Sequence, residues 1–175
     1  MAKRQAVNRC SKWHVCSKRR ATGYGKRGVR PTNLSIGWGP KGCAIDIPHL
    51  EFRPGGFFHY AMKFEGAPTM WGHFNYRQIV TPERIVWLNS FSNEKCGIAR
   101  APFSEFCPLE IENTVTFTEG AGTTTVVLRA EPFGETAEEH KFFDELCFSG
   151  SIEQGSSGTF EQLAEYVAKA CDQLR

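Results

Sequence analysis

From residue 43 onward, apolar side chains recur at alternate positions along the chain. Residues 43–52 (CAIDIPHLEF) and 57–64 (FFHYAMKF) read as strands, because a period of two places one set of side chains on a buried face and the other toward solvent. Between them Arg53-Pro54-Gly55-Gly56 is a turn cluster. In the second run Phe58, Tyr60, Met62 and Phe64 share one face, and Phe57, His59, Ala61 and Lys63 the other. That alternation predicts that His59 faces water. Further strands are predicted at 70–80 and 84–92, joined by Thr81-Pro82-Glu83, and at 110–118 and 123–131, flanking the hairpin signal Glu119-Gly120-Ala121-Gly122. Six strands in succession with short turns predict an antiparallel meander. The 93–108 connection is longer and holds Cys96, Cys107 and two prolines.

The last forty or so residues change period. Thr136 and Glu139 fit the S/T-x-x-E capping box, which predicts a helix through roughly Leu146. A second helix is predicted over about 151–173. It places Ile152, Phe160, Leu163, Val167 and Ala170 on one stripe and Glu153, Glu161, Glu165 and Lys169 on the other side. Gly155 and Gly158 each cost such a helix about 1 kcal/mol relative to alanine. They either thin it for close packing or mark its weaker first half. A sheet with one apolar face and a long amphipathic helix must cover each other. The predicted fold class is α+β, with a curved antiparallel sheet gripping the C-terminal helix.

Composition agrees with a soluble globular domain: 41% of residues are hydrophobic and 23% charged. No apolar run is long enough to span a bilayer, and none near the start resembles a secretory signal. Seven cysteines at irregular spacings suggest free thiols in a reducing compartment. A cytoplasmic location is expected. The net charge of +2 conceals an asymmetry, because residues 1–45 hold eleven Lys or Arg and no acid, while the rest holds ten basic and nineteen acidic residues. A basic arm suggests a nucleic-acid contact, a membrane contact or a transit peptide. Gly23, Gly25, Gly28 and Pro31 oppose the amphipathic helix of a transit peptide. No RNP, finger or recognition-helix pattern is present. Neither nucleic-acid binding nor membrane insertion is expected.

Trp38-Gly39-Pro40-Lys41-Gly42, Arg53-Pro54-Gly55-Gly56 and Thr81-Pro82-Glu83-Arg84-Ile85-Val86 stand in an order and spacing that resemble the SRPBCC (START-like) superfamily. The branch they resemble is the homologues of the activator of heat-shock protein 90 ATPase. The ending Gly158-Thr159-Phe160-Glu161-Gln162-Leu163-Ala164-Glu165-Tyr166-Val167 is similar to that family's C-terminal helix. The resemblance covers about 38–172. It implies a helix-grip fold around a hydrophobic cavity, and a link to stress response through the family's name.

The family begins with a strand and two short helices running into a Trp-Trp-Gly-Pro-Lys-Gly motif. Here Gly37 stands in place of the first Trp, and residues 1–36 show neither the strand nor the helices. Residues 1–37 are therefore expected to be a divergent, poorly ordered basic segment preceding a helix-grip domain over 38–175. A one-base displacement of the reading frame across 11–36 would permit Ala-Pro-Arg over Lys18–Ala21, Trp-Lys-Ala-Trp within Tyr24–Gly28 and His-Trp over Ser35–Gly37. Resequencing the coding DNA tests this. With the first strand missing, one sheet edge would lie open, and low stability or aggregation is expected.

No G-x-S-x-G, Walker loop or H-E-x-x-H occurs, and no nucleophile stands with an evident base. Cys10, His14 and Cys16 lack a fourth ligand at finger spacing, so no metal is expected. No cofactor is expected either. His59 and His73 lie on adjacent strands and could pair for acid–base work, but the surface reading is favoured. Asp46, Glu51 and Glu83, near turns, read as solvated, and Cys96 and Cys107 as loop thiols. A cavity lining is expected from Phe58, Tyr60, Met62, Trp87, Phe91, Val115, Phe117, Leu128, Ile152 and Phe160. The competing reading is that these side chains simply fill the core. Ser156 follows Glu153-Gln154-Gly155 where related helices often carry a large aromatic, which leaves room or polarity in the cavity. Three functions remain open. The favoured one is a non-enzymatic domain binding a lipophilic small molecule or a protein client. The alternatives are a cyclase- or hydratase-like enzyme using the same cavity and a co-chaperone stimulating a chaperone ATPase.

Overall fold

The computed structural model describes residues 10–15, 39–40, 42–120, 123–134, 136–150, 156–159, 161–162 and 165 of the 175-residue chain. Of residues 10–15 and 123 only the backbone is described. The predicted strands form, with boundaries moved by one or two residues. They are β2 (Ala44–Leu50), β3 (Phe57–Lys63), β4 (Met70–Val80), β5 (Arg84–Ser92), β7 (Ile111–Gly120) and β8 (Thr123–Pro132). Two more complete the sheet: β1 (Cys10–Val15) and the short β6 (Ile98–Ala99), which pairs with the end of β5 inside the long connection. All pairs are antiparallel, in the order β1-β8-β7-β5-β4-β3-β2.

Strand β1 corrects the expectation that residues 1–36 contain no strand. It runs against β8 from Cys10 opposite Arg129 to Val15 opposite Thr124. The sequence concealed it because Cys-Ser-Lys-Trp-His-Val mixes polar and apolar residues without the core-facing alternation of β3. The β8 edge expected to lie open is therefore paired from Thr124 to Arg129, so it presents no free ladder there to another chain. Residues 16–36, where the displaced reading frame and the missing helices were expected, lie outside the described residues.

Two register shifts shape the sheet. Between Asp46 and His49, two residues of β2 oppose one of β3, and the bulge holds Pro48, which has no N–H to give a ladder. Between Tyr76 and Gln78 the extra residue is Arg77, after which Ile79 rather than Gln78 faces Ile85. The core lies on one face, built from Ile45, Phe58, Tyr60, Phe74, Tyr76, Trp87, Val115, Val126 and Leu128.

The motifs behind the family resemblance have local structural reasons. Gly39 sits at φ +93° in a buried turn, and a Cβ there would lie 2.9 Å from Ile45 Cδ1. Only glycine fits both the backbone and the space. The Cys43 amide closes this turn on the Pro40 carbonyl at 3.3 Å. The Arg53–Gly56 turn extends the β3–β4 ladder, because the Gly55 amide donates to Tyr76 O at 2.7 Å and the Tyr76 amide to Gly56 O at 3.0 Å.

The first predicted helix is α1 (Ala137–Phe148), capped as expected. Glu139 N donates to Thr136 Oγ1 at 3.3 Å, and Thr136 N donates back to Glu139 Oε2 at 3.0 Å. In the second predicted helix, the described residues 156–159, 161–162 and 165 are helical. Gly158 lies near the Gly39 turn, where a Cβ would stand at an ordinary contact distance of 3.9 Å from Pro40 Cα, so this glycine is not required for close approach. Ile152, Phe160, Leu163, Val167 and Ala170 lie outside the described residues. The fold is α+β and of the helix-grip type: a curved antiparallel sheet followed by a C-terminal helix.

Candidate functional site

The sheet register decides which of the expected lining residues share a face. Phe58 opposes Phe74, which opposes Asn89; Tyr60 opposes Gly72, which opposes Phe91. Tyr76, Trp87 and Asn113 form the next row, and Ile85, Val115 and Leu128 another. Phe117 stands opposite Val126, and Met62 opposite Ile45. All eight expected strand residues therefore lie on the core face, since neither β5 nor β7 carries a bulge that would invert it. Ser156 is helical and half-buried, whereas Ile152 and Phe160 fall outside the described residues.

The face is aromatic. Phe58 stacks on Tyr60 at 4.8 Å and meets Phe74 edge-on at 5.4 Å, and Phe74 reaches Trp87 at 5.3 Å. Tyr60 lies across β4 where Gly72 leaves room; a Cβ at Gly72 would overlap its ring. At the far end Phe91 meets Phe103 of the 93–109 connection edge-on at 5.7 Å. The buried members of this cluster include no carboxylate, imidazole, amine or thiol. Burial pushes the phenols of Tyr60 and Tyr76 well above their ordinary value, so both stay neutral. Two donors stand out. Trp87 Nε1 and Thr124 Oγ1 are buried and have no hydrogen-bond partner among the described residues. An unmet buried donor costs about 1–3 kcal/mol, so such groups call for an explanation. A face of this kind can hold an uncharged apolar molecule and donate hydrogen bonds to it. Among the described residues a thiol, Cys43, packs against this cluster, and burial raises its pKa.

The opposite face departs from expectation. His59 does not face water: it is 3% exposed. Its Nε2 donates to the Asn93 carbonyl at 3.1 Å, and its ring stacks on Trp71 at 4.9 Å. The turn after β5 folds back over this part of the sheet, an arrangement that period-two reasoning on β3 alone could not foresee. In register, His49, His59, His73 and Ser90 form one row across β2, β3, β4 and β5. Burial, and secondarily the neighbouring His59, lowers the pKa of His73 below its ordinary 6.5. Ser90, which the sequence reading passed over, is also buried, with its Oγ unpartnered among the described residues.

The remaining candidates separate cleanly. Asp46 pairs with Lys63, Glu51 with Arg53 at 2.7 Å, and Glu83 is exposed. Cys96 and Cys107 are free thiols whose pKa burial raises, the reverse of an activated nucleophile. Among the described residues no three His, Cys, Asp or Glu side chains converge on a metal position. The side chains of Cys10, His14 and Cys16 lie outside them. No described helix is long and apolar enough to cross a membrane.

Solved structures share this architecture. Protein Ms6760 from Mycobacterium smegmatis is 21% identical, with a TM-score of 0.67 over 89% of this chain and 87% of its own. The AHSA1 protein of Silicibacter pomeroyi is 13% identical, with a TM-score of 0.66 over 92% and 99%. DynU16, a protein from the dynemicin biosynthetic locus, is 14% identical, with a TM-score of 0.58 over 92% of this chain and 48% of its own. At these identities the likeness shows the fold alone. No curated protein matches. A family profile does match, over residues 30–168, which includes the Gly39 turn, the aromatic face and the helical residues 156–159. The chain belongs to the family described as activator of Hsp90 ATPase homolog 1-like proteins.

Proposed function

We propose that this chain is a non-enzymatic binding domain, and that its ligand is a small, uncharged lipophilic molecule carrying a hydrogen-bond acceptor. The molecule lies between the core face of the sheet and the C-terminal helix, against Phe58, Tyr60, Met62, Trp87, Phe91, Val115, Phe117 and Leu128, with Ile152, Ser156 and Phe160 contributed by the helix. The observation carrying this reading is the buried Trp87 Nε1, without a partner among the described residues, in an aromatic surface without charge. Indole N–H is a donor only, so its partner must be an acceptor such as a carbonyl or ether oxygen. The neutral Tyr60 and Tyr76 hydroxyls are further polar handles. A charged ligand would lose its hydration there with nothing to replace it.

Native mass spectrometry of protein purified from cells tests the proposal. The wild-type chain is expected to carry an adduct. Trp87→Phe, which keeps an aromatic ring and removes the N–H, is expected to lower its retention by about tenfold, as loss of one buried hydrogen bond implies. Equal retention in both would remove the role of Trp87, and no adduct from any preparation would remove the ligand. The family description supports a second reading, stimulation of a chaperone ATPase by a cytoplasmic partner protein. An ATPase assay with the chaperone separates the two, because a domain that only stores a ligand leaves the turnover unchanged.

A further inference from the structure

We infer that Trp87 and Asn113 together select a hydroxyl group, so that the molecule held against the core face is a lipophilic alcohol or phenol. The inference rests on the binding role proposed above and narrows it from any hydrogen-bond acceptor to one functional group.

Trp87 on β5 stands directly opposite Asn113 on β7, and both are buried. Side chains so placed on one face have Cβ atoms about 5 Å apart, near enough for their polar ends to share a partner. Asn113 is oriented by its own strand, because its Nδ2 donates to the Ile111 carbonyl at 3.1 Å. A carbonyl only accepts, so this bond settles which end of the amide is the nitrogen and leaves Oδ1 as an acceptor. Among the described residues no donor meets that oxygen. Across the ladder Trp87 Nε1 is a donor, also without a partner among them. The two complementary groups therefore share a row and do not bond to each other. Nor does the indole N–H bond to the phenol of Tyr76, which flanks Trp87 on β4.

Buried polar groups left without partners are unfavourable, and a bridging group relieves both of these at once. A hydroxyl does so with a single atom: its oxygen accepts from Trp87 Nε1 and its hydrogen goes to Asn113 Oδ1. A ketone or ether oxygen satisfies the indole alone and sets its lone pairs against those of Oδ1. A carboxylate or an ammonium group would bring a charge among Trp87, Val115 and Leu128, where nothing replaces its hydration. An aromatic carbon frame suits the surface beside the pair, since neighbouring rings of Phe58, Tyr60, Phe74 and Trp87 stand 4.8–5.4 Å apart.

β-Naphthol and its methyl ether share a ring system and an acceptor oxygen, and differ in the hydroxyl hydrogen. Titration of each into the full chain, followed in protein NMR spectra at about pH 7, where a phenol is neutral, tests the inference. Wild type is expected to bind the naphthol about tenfold more tightly than the ether, as one buried hydrogen bond implies. Asn113→Leu, which keeps the bulk and removes the oxygen, is expected to weaken the naphthol about tenfold and leave the ether unchanged. Trp87→Phe is expected to weaken both probes alike and keep the preference. The wild-type comparison needs no variant, so it decides the matter even where a substitution harms folding. Equal binding of the two probes to wild type overturns the inference and leaves the binding role standing, with water spanning the pair. A preference that survives Asn113→Leu overturns it as well. Binding of neither probe overturns it together with the reading on which it rests.

Discussion

Replacing Phe58 by alanine is expected to lower the stability of the domain by about 3–5 kcal/mol, the usual cost of emptying a fully buried aromatic position. Phe58 is 1% exposed and is held on both sides, stacked on Tyr60 and edge-on to Phe74. Those rings are pinned by the rows opposite them, so the space has little freedom to collapse. Against a total of roughly 5–15 kcal/mol for a domain, the loss should lower the thermal midpoint by about 10 °C and move the urea midpoint clearly. Gly72→Ala approaches the same packing from the other side. Its new Cβ overlaps the Tyr60 ring, which must leave its place at a cost of about 1–3 kcal/mol. Equilibrium urea unfolding of both variants checks the pair. A shift below about 1 kcal/mol for Phe58→Ala would mean that the core face is loosely filled, which would also weaken the argument that its donors are poised for a ligand.

The sheet was readable because its strands carry their environment in period two. β3 is the clearest case: Phe58, Tyr60 and Met62 lie inward as the alternation requires. The capping box at Thr136 and Glu139 was equally plain, since the two residues whose side chains make it are close neighbours in sequence. Long-range effects were not readable. Nothing within β3 tells that a turn after β5 will bury His59, because the contact joins residues thirty-four positions apart. Likewise β1 owes its place to the free edge of β8 and not to any pattern of its own. The Arg77 bulge illustrates a third limit. One extra residue in β4 turns Gln78 away from the face and brings Ile79 in, and a strict alternation would have placed them the other way round.

These differences divide the molecule into two surfaces with opposite chemistry. The core face is aromatic, and two of its buried donors have no partner among the described residues. The outer face, which the turn after β5 reaches at His59, collects imidazoles and hydroxyls beside the rings of Phe57 and Trp71. Function read from sequence alone favoured the first, since aromatic residues at period two announce themselves. In the second, His59 is buried where the turn after β5 meets it, a contact that its own strand does not announce. What holds the 93–109 connection is therefore as informative as the face it meets.

Its far end is fastened to α1 through the Glu139 carboxylate, and Glu139→Ala is expected to cost about 2–3 kcal/mol. Glu139 is 6% exposed, and its Oε1 accepts from Arg100 Nη1 at 2.7 Å, while Oε2 accepts from the Thr136 amide that opens the helix. The same Arg100 nitrogen reaches the carbonyls of Glu105 and Cys107. One substitution thus removes half of the capping box and frees the guanidinium that ties the loop. The loss stays below that of a fully buried ion pair, because the Arg100 side chain is 52% exposed and can turn to water. The Arg100 hydrogen bond, and after it the Thr136 amide, holds the Glu139 carboxyl below its ordinary 4.5. A depressed carboxylate stabilises the folded chain fully above that ordinary value, and the contribution disappears as pH falls through the lower, folded-state value. The stability difference between wild type and Glu139→Ala should therefore be constant near neutrality and shrink only below about pH 4.5. Urea unfolding of both chains at stepped pH measures it. A difference that begins to shrink near pH 6 instead would assign the acid sensitivity of this end to the imidazoles and not to Glu139.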